Sequence, residues 1–309
     1  MKLTALAGGI ASYVPGLGGM LERRVHTGGS DSGRYCYSVW LRHLVMSFRS
    51  GLCARMPSSV AELGPGDSIG IGLAALLCGA ERYYGLDVLP LASLERNLEV
   101  FEDLVMLFRE RAPIPDDREF PGVKPKLASY ELPEQVRWGD LDERRIERIR
   151  RSIREPNAAD SMIRYVAPWW SAGALESGSV QMIFSQAVLE HVDDLQTAYA
   201  SMRAWLSPEG WLSHQIDFRC HNTAREWNGH WTYGPLAWRL LRGRRRFLIN
   251  RQPHSAHLQL LRAASFEIVC DQTVTGPAIK RSRLARQFAR LSEDDLTTSG
   301  AFLQARPAG

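Results

Sequence analysis

Ser59-Val60-Ala61-Glu62-Leu63 running into Gly64-Pro65-Gly66-Asp67-Ser68-Ile69-Gly70 decides the fold of this chain. A short apolar run ends in Gly-Pro-Gly, and the residues from Ile69 to Cys78 then read as a helix. Glycines in such a turn carry no Cβ, so the backbone can come within contact distance of a ligand at a helix N-terminus. Arg82 to Val88 reads as a second strand and ends on Asp87, where a carboxylate can accept hydrogen bonds from both hydroxyls of a ribose. Strand, glycine turn, helix, strand and terminal acid together make a β-α-β unit built around a nucleotide-like ligand.

Two ligand classes share this arrangement. A dinucleotide site requires G-x-G-x-x-G, which seats a pyrophosphate on the helix N-terminus. Here the glycines fall at Gly64, Gly66 and Gly70, one residue out of that spacing, and Glu62 precedes them. An acidic group beside the loop repels a pyrophosphate but suits the amino group or sulfonium of S-adenosylmethionine.

Outward from this unit, strand-like and helix-like segments keep alternating. Leu94, Leu98, Phe101, Leu104, Val105 and Phe108 recur at helical spacing. Further strands are expected at Met162–Ala167, Val180–Ser185 and Trp211–Phe218. A helix over Leu195–Leu206 precedes the last of these, and Pro208-Glu209-Gly210 is read as the turn into it. A helix over Ala256–Ala264 and two closing strands at Phe266–Val274 and Ala301–Arg306 complete the pattern. Alternation of this kind implies an α/β fold, a Rossmann-like, mostly parallel seven-stranded sheet with helices on both faces, whose ligands bind at the carboxyl ends of the strands. The expected organisation is an N-terminal helical cap over residues 1–50 and a main domain over 51–309. That domain carries insertions at about 112–158, which includes a highly charged helix over Leu141–Arg154, and at about 220–258, where the pattern turns irregular.

Composition fits an ordinary folded protein. The 309 residues are 45% hydrophobic and 23% charged, and 38 basic against 34 acidic side chains leave +4, too little to demand nucleic acid or a membrane surface as partner. Five cysteines, odd in number and without a C-x-x-C pair, support neither a disulfide framework nor a structural zinc site and favour a reducing compartment. The apolar, glycine-rich start up to Met20 faintly imitates a secretion signal, but Gly8-Gly9, Pro15 and Gly18-Gly19 interrupt it. No apolar run reaches membrane-spanning length. A cytoplasmic location without stable membrane insertion is the expectation.

Ala61-Glu62-Leu63-Gly64-Pro65-Gly66, Gly85-Leu86-Asp87 and Phe184-Ser185-Gln186-Ala187-Val188-Leu189-Glu190-His191-Val192 together resemble the class I S-adenosylmethionine-dependent methyltransferases. The similarity runs from about Ser59 to Phe218. It implies that Glu62, Gly64, Pro65 and Gly66 line the methionine end of the cofactor and that Asp87 holds the ribose, with Leu86 or Val88 beside the adenine. Ser185 and Gln186 fall at the family position facing sulfonium and acceptor. The chain departs from the family at Ala167-Pro168-Trp169, where an acidic residue is common and Trp169 could stack on the adenine instead, and at Gln181, where many members have Asp.

Methyl transfer is a displacement at a carbon activated by positive sulfur, so the protein must align the partners and remove a proton from a hydroxyl acceptor. His191, Asp217 and His221 are the candidate bases, with Asp217 the better placed carboxylate and a structural helix-start role as the alternative for His191; His214 reads as a core histidine. No metal requirement is expected. The segment from His221 to His257, with Trp227, Trp231, Trp238 and an arginine run, is either a lid that stacks on a sugar or an insertion whose tryptophans pack inward. Tyr35 to Leu44 is expected to close over the cofactor. A looser resemblance, around Ile216-Asp217-Phe218-Arg219 and the later Trp-rich stretch, to methyltransferases of bacterial polysaccharide gene clusters implies a small-molecule or glycan acceptor, O-methylated. No nucleic acid is expected, since no Asn/Asp-Pro-Pro-Tyr-type motif is present and the basic run is short; a homodimer is left open. The competing reading is a regulatory or interaction protein that binds S-adenosylmethionine without turnover.

Overall fold

A computed structural model describes residues 2–14, 29–131, 141–170, 172–245 and 247–309. Part of the signal-like start, part of the Pro-rich stretch before Leu141 and Arg246 of the arginine run lie outside the described residues.

Seven strands form one sheet: β1 (Ser59–Leu63), β2 (Arg82–Leu86), β3 (Ile163–Val166), β4 (Val180–Gln186), β5 (Leu206–Asp217), β6 (Phe266–Thr275) and β7 (Thr298–Pro307). Their order is β3-β2-β1-β4-β5-β7-β6. The first five run parallel, whereas β7 lies antiparallel between β5 and β6. The expected mostly parallel sheet is present. Strand five begins earlier than the sequence suggested: Pro208-Glu209-Gly210 lies within β5, where the pairing with β4 shifts register between Val180 and Met182.

One face of the sheet carries α2 (Gly33–Arg49), α3 (Gly70–Leu77), α4 (Leu94–Arg109) and α5 (Glu143–Arg154), and the other carries α6 (Leu195–Trp205) and α8 (His254–Ala263). Two of these placements differ from the sequence reading. Helix α5 belongs to the core layer, because its few apolar residues, Ile146, Ile149 and Ile153, share one stripe and are all buried. Helix α2, expected as part of a cap, is likewise built into the core: Tyr37, Trp40, Leu41 and Leu44 are fully buried there. Gly70 is explained by this packing, since a Cβ there would stand 2.5 Å from Cys36 Sγ of α2.

The irregular segment after β5 holds a short helix that periodicity missed, α7 (Pro235–Arg242), with Pro at its start and Gly243 at its end. Helix α1 (Leu3–Ala11) packs on α7 at Gly9, where a Cβ would stand 2.2 Å from the Leu241 carbonyl oxygen. The element α9 (Glu293–Thr297) leads into β7. Among the described residues, no helix is long and apolar enough to cross a membrane.

Residues 112–130 are fastened to α2 by Arg42, whose side chain is wholly buried. Its Nη1 donates to the carbonyls of Pro125 at 2.8 Å and Val123 at 3.3 Å and meets Asp117 Oδ1 at 3.1 Å; Nη2 donates to the Pro115 carbonyl at 3.0 Å. Arg42→Met leaves those buried carbonyls without a donor, while Asp117 keeps only Tyr130 and Lys126, so a loss of about 3–5 kcal/mol is expected from urea unfolding. Arg34→Ala breaks only the exposed pair with Glu119 and costs less than about 1 kcal/mol. Equal stabilities of the two variants would show that Arg42 is no clamp.

Candidate functional site

The loop after β1 takes the form that its glycines permit. Gly64 and Gly66 have φ of 64° and 72°, the left-handed region that a side chain disfavours. The Gly64 amide donates to the Leu86 carbonyl at 2.8 Å, tying the loop to β2. Asp87 sits at the end of β2 with both oxygens engaged: Oδ2 accepts from the Gly66 amide at 3.1 Å and Oδ1 from the Val88 amide at 2.7 Å. Burial raises its pKa, and the backbone amides of Gly66, Val88 and Leu89 oppose that rise. Loop and carboxylate thus form one unit at the carboxyl ends of β1 and β2. A carboxylate has about four acceptor positions, so it has room for a further hydroxyl donor beside these amides.

Glu62 is not on this surface. It is 2% exposed, and its Oε2 accepts the Tyr83 hydroxyl proton at 2.7 Å. Gly72 makes room for that contact, because a Cβ there would meet the Tyr83 ring at 2.0 Å. Burial pushes the Glu62 carboxyl up to about 8, against the hydrogen bond from Tyr83 and with the repulsion of Asp87 adding to it.

A cavity of about 360 Å³ opens at the ends of β4 and β5. Gln186, Gln215 and Asp217 line its sheet side, and Tyr35 and Phe120 stand on its wall with ring centroids 5.8 Å apart. Gln186 is oriented from behind by His43, whose Nε2 lies 3.1 Å from Gln186 Oε1 and whose Nδ1 lies 2.8 Å from Ser213 Oγ. Burial lowers His43 to about 4, so the ring is neutral. Asp217 is gripped by Arg219, with Nη2 to Oδ2 at 2.6 Å and Nε to Oδ1 at 2.8 Å. Burial works to raise the Asp217 pKa, but His221 and Arg219 outweigh it and hold the carboxylate well below its usual range. His221 Nε2 stands 3.4 Å from Asp217 Oδ2, an ion-pair distance without hydrogen-bond geometry.

Among the expected site residues, the structure brings Gly64, Pro65, Gly66, Asp87 and Val88 together at one end of the site. Gln186 and Asp217 meet at the other end, with His191 and His221 behind Asp217, their rings 5.0 Å apart. Ser185 faces away: it is fully buried, with its hydroxyl 2.8 Å from Nδ1 of the core residue His214. Trp169 packs edge-on against Trp205 at 6.1 Å, and its burial leaves no free face for an adenine. Trp238 is buried in a small cluster of its own segment and Trp231 in one with Ile279 and Leu296 from between β6 and β7, so the inward-packed alternative holds for them. The aromatic wall of the cavity is Tyr35 and Phe120 instead. Gln215 and Arg219 were not singled out as site residues; the two-residue period of β5 places Gln215 on the same face as Asp217 and was the available signal.

Strand order, glycine loop and carboxylate at the end of β2 define a Rossmann-like domain with the topology of class I methyltransferases. The family described as "Methyltransferase domain" matches residues 123–213. No curated protein matches the sequence. Similar solved structures include an S-adenosylmethionine-dependent methyltransferase from Mesorhizobium loti, at 13% identity and TM-score 0.42 over 85% of this chain and 97% of that one. Another is phosphoethanolamine N-methyltransferase 2 of Haemonchus contortus, solved with phosphomonomethylethanolamine and S-adenosylhomocysteine, at 14% identity and TM-score 0.46 over 94% of this chain and 60% of that one.

The buried Glu62 gives a pH signature. Its folded-state pKa of about 8 exceeds the unfolded value of 4.5, so the folded chain keeps a proton that the unfolded chain releases. Stability from this group is fully present below the unfolded pKa and is lost as pH rises through the folded one. Glu62→Gln removes that loss, so the stability of the variant relative to the wild type should climb between those two values. A difference that stays flat with pH would refute the buried, proton-holding Glu62.

Proposed function

We propose that the chain is an S-adenosylmethionine-dependent methyltransferase that O-methylates a small hydroxylated acceptor, a sugar or glycan precursor being the favoured class. The observation that carries this reading is the placement of two distinct sites along one sheet edge, the Gly64–Gly66 loop with Asp87 and the cavity beyond Gln186. When bound, the cofactor supplies a methyl group already activated by its positive sulfur. In this reading Asp87 holds the ribose hydroxyls, the backbone of the glycine loop takes the methionine end, and Val88 flanks the adenine. Gln186, held by neutral His43, and Gln215 offer hydrogen bonds to a polar acceptor, and the Tyr35 and Phe120 rings offer it an apolar face. Asp217 and the histidines behind it, His191 and His221, form the group that draws the acceptor proton. Five free cysteines support a reducing, cytoplasmic setting.

Calorimetric titration with S-adenosylhomocysteine, with NAD as control, tests the cofactor class. Binding of the first alone is expected, and Asp87→Ala should weaken it about 10-fold or more through loss of charged hydrogen bonds. Binding of NAD alone overturns the reading, and unchanged affinity in Asp87→Ala removes the ribose role. Binding without methyl transfer to any hydroxylated acceptor would favour the regulatory alternative.

A further inference from the structure

Behind the cavity wall, two turns bring three metal-binding side chains together. Glu190 and His191 sit on the 3-10 turn Leu189–His191 that follows β4, and His221 lies just beyond β5. One ligand atom from each lies within 4.8 Å of the other two. All three residues carry buried atoms without a hydrogen-bond partner among the described residues: both oxygens of Glu190, Nδ1 of His191 and Nε2 of His221. Glu190 is 3% exposed. The backbone amides of Glu190 and Asp217 approach its carboxylate without closing a hydrogen bond. A buried carboxylate with two vacant oxygens costs several kcal/mol unless a cation or a donor satisfies it. The guanidinium of Arg219 is already spent on Asp217.

Both turns are braced from outside. Asn250 donates from its backbone amide to the Glu190 carbonyl at 2.7 Å, and from Nδ2 to the carbonyls of Leu189 and Val192, each at 2.8 Å. The turn of His221 is closed by the Thr223 amide on the Cys220 carbonyl at 2.8 Å. The backbone of Phe247 also approaches the His191 ring, in the place of an outer partner that aims a ligating imidazole.

We propose that Glu190, His191 and His221 form a binding site for a divalent first-row transition-metal ion of the zinc type. An ion equidistant from three atoms 4.8 Å apart stands about 2.8 Å from each, and side-chain adjustments of under about 1 Å bring it to the 2.0–2.2 Å of zinc sites. Two imidazoles and one carboxylate are the donor set of open zinc and iron sites, whereas magnesium and calcium prefer oxygen alone. Asp217, 3.4 Å from His221 Nε2, is placed to support or join the set and separates the ion from the acceptor cavity. The site does not depend on the methyl-transfer reading: with an ion bound, His191 and His221 act as ligands and Asp217 is left as the group that draws an acceptor proton. An ion here runs against the expectation that no metal is needed, which rested on the absence of a ligand motif in the linear sequence.

The test uses the full chain, stripped with a chelator and titrated with Zn²⁺ against a competing indicator dye. One equivalent is expected to bind. Glu190→Gln, His191→Ala and His221→Ala should each lower the affinity at least about 10-fold, and a large excess of Mg²⁺ should not displace the ion. Circular dichroism checks that each variant is folded. Independently of any variant, Co²⁺ added to the stripped wild type should give visible bands of nitrogen and oxygen ligation; a thiolate charge-transfer band instead would place the metal on cysteine and overturn the proposal. Absence of stoichiometric uptake, or uptake indifferent to all three substitutions, overturns it as well. Because S-adenosylhomocysteine binding is measured separately, Zn²⁺ uptake by a protein that ignores that ligand would sink the proposed function and leave this site standing.

Discussion

The guanidinium of Arg42 has no water to turn to, and every acceptor it finds belongs to the chain between residues 115 and 130 or to its own helix. That constraint fixes much else. It holds the 112–130 stretch against α2, the stretch supplies Phe120 and Val123 to the cavity, and α2 itself supplies Tyr35 and the His43 that aims Gln186. Helix α2 can serve both roles because its inner face is packed solidly against α3 and α4, close enough that Gly70 must lack a Cβ. The wall of the cavity is therefore rigid for the same reason that the core is dense.

Polar side chains penetrate this core in connected sets rather than singly. Ser213 touches His43 at 2.8 Å and the Gln304 amide at 3.2 Å, and Ser47 joins Gln304 and Trp211 Nε1, each at 3.0 Å. Such a set links α2, β5 and β7 by directional contacts, and directional contacts specify register better than apolar ones. On the opposite face the same strand carries His214 against Ser185.

The β-α-β unit, the parallel sheet and most element boundaries were legible because they rest on local periodicity and on glycines whose backbone conformation has few alternatives. Gly64 and Gly66 do take the left-handed form that their type implies. Helix α5 was misjudged as peripheral because counting its charges obscured a single apolar stripe, and α7 was missed because eight residues are barely two turns. What the sequence withheld was mutual placement. Nothing in the spacing of residues 190, 191 and 221 says that two turns will face each other, and nothing in the identity of Glu62 says that Tyr83 will claim it. Trp169 and Trp231 looked available for ligands only because composition does not reveal which way a ring points.

The segment after β5 has its own small core of Cys220, Tyr233, Trp238, Leu241, Leu248 and Ile249. It grips the turn after β4 through Asn250, through the pair of Arg242 with Asp193 at 2.5 Å, and through the ring contact of His221 with His191. Glycine loop and histidine pair therefore sit in different packing units, one in the main sheet and one across a seam. Units with separate cores open with separate free energies. Amide exchange in the segment can thus run ahead of exchange in β1 and β2, and anything that bridges the seam at residues 190, 191 and 221 acts as a latch that brings the two rates together.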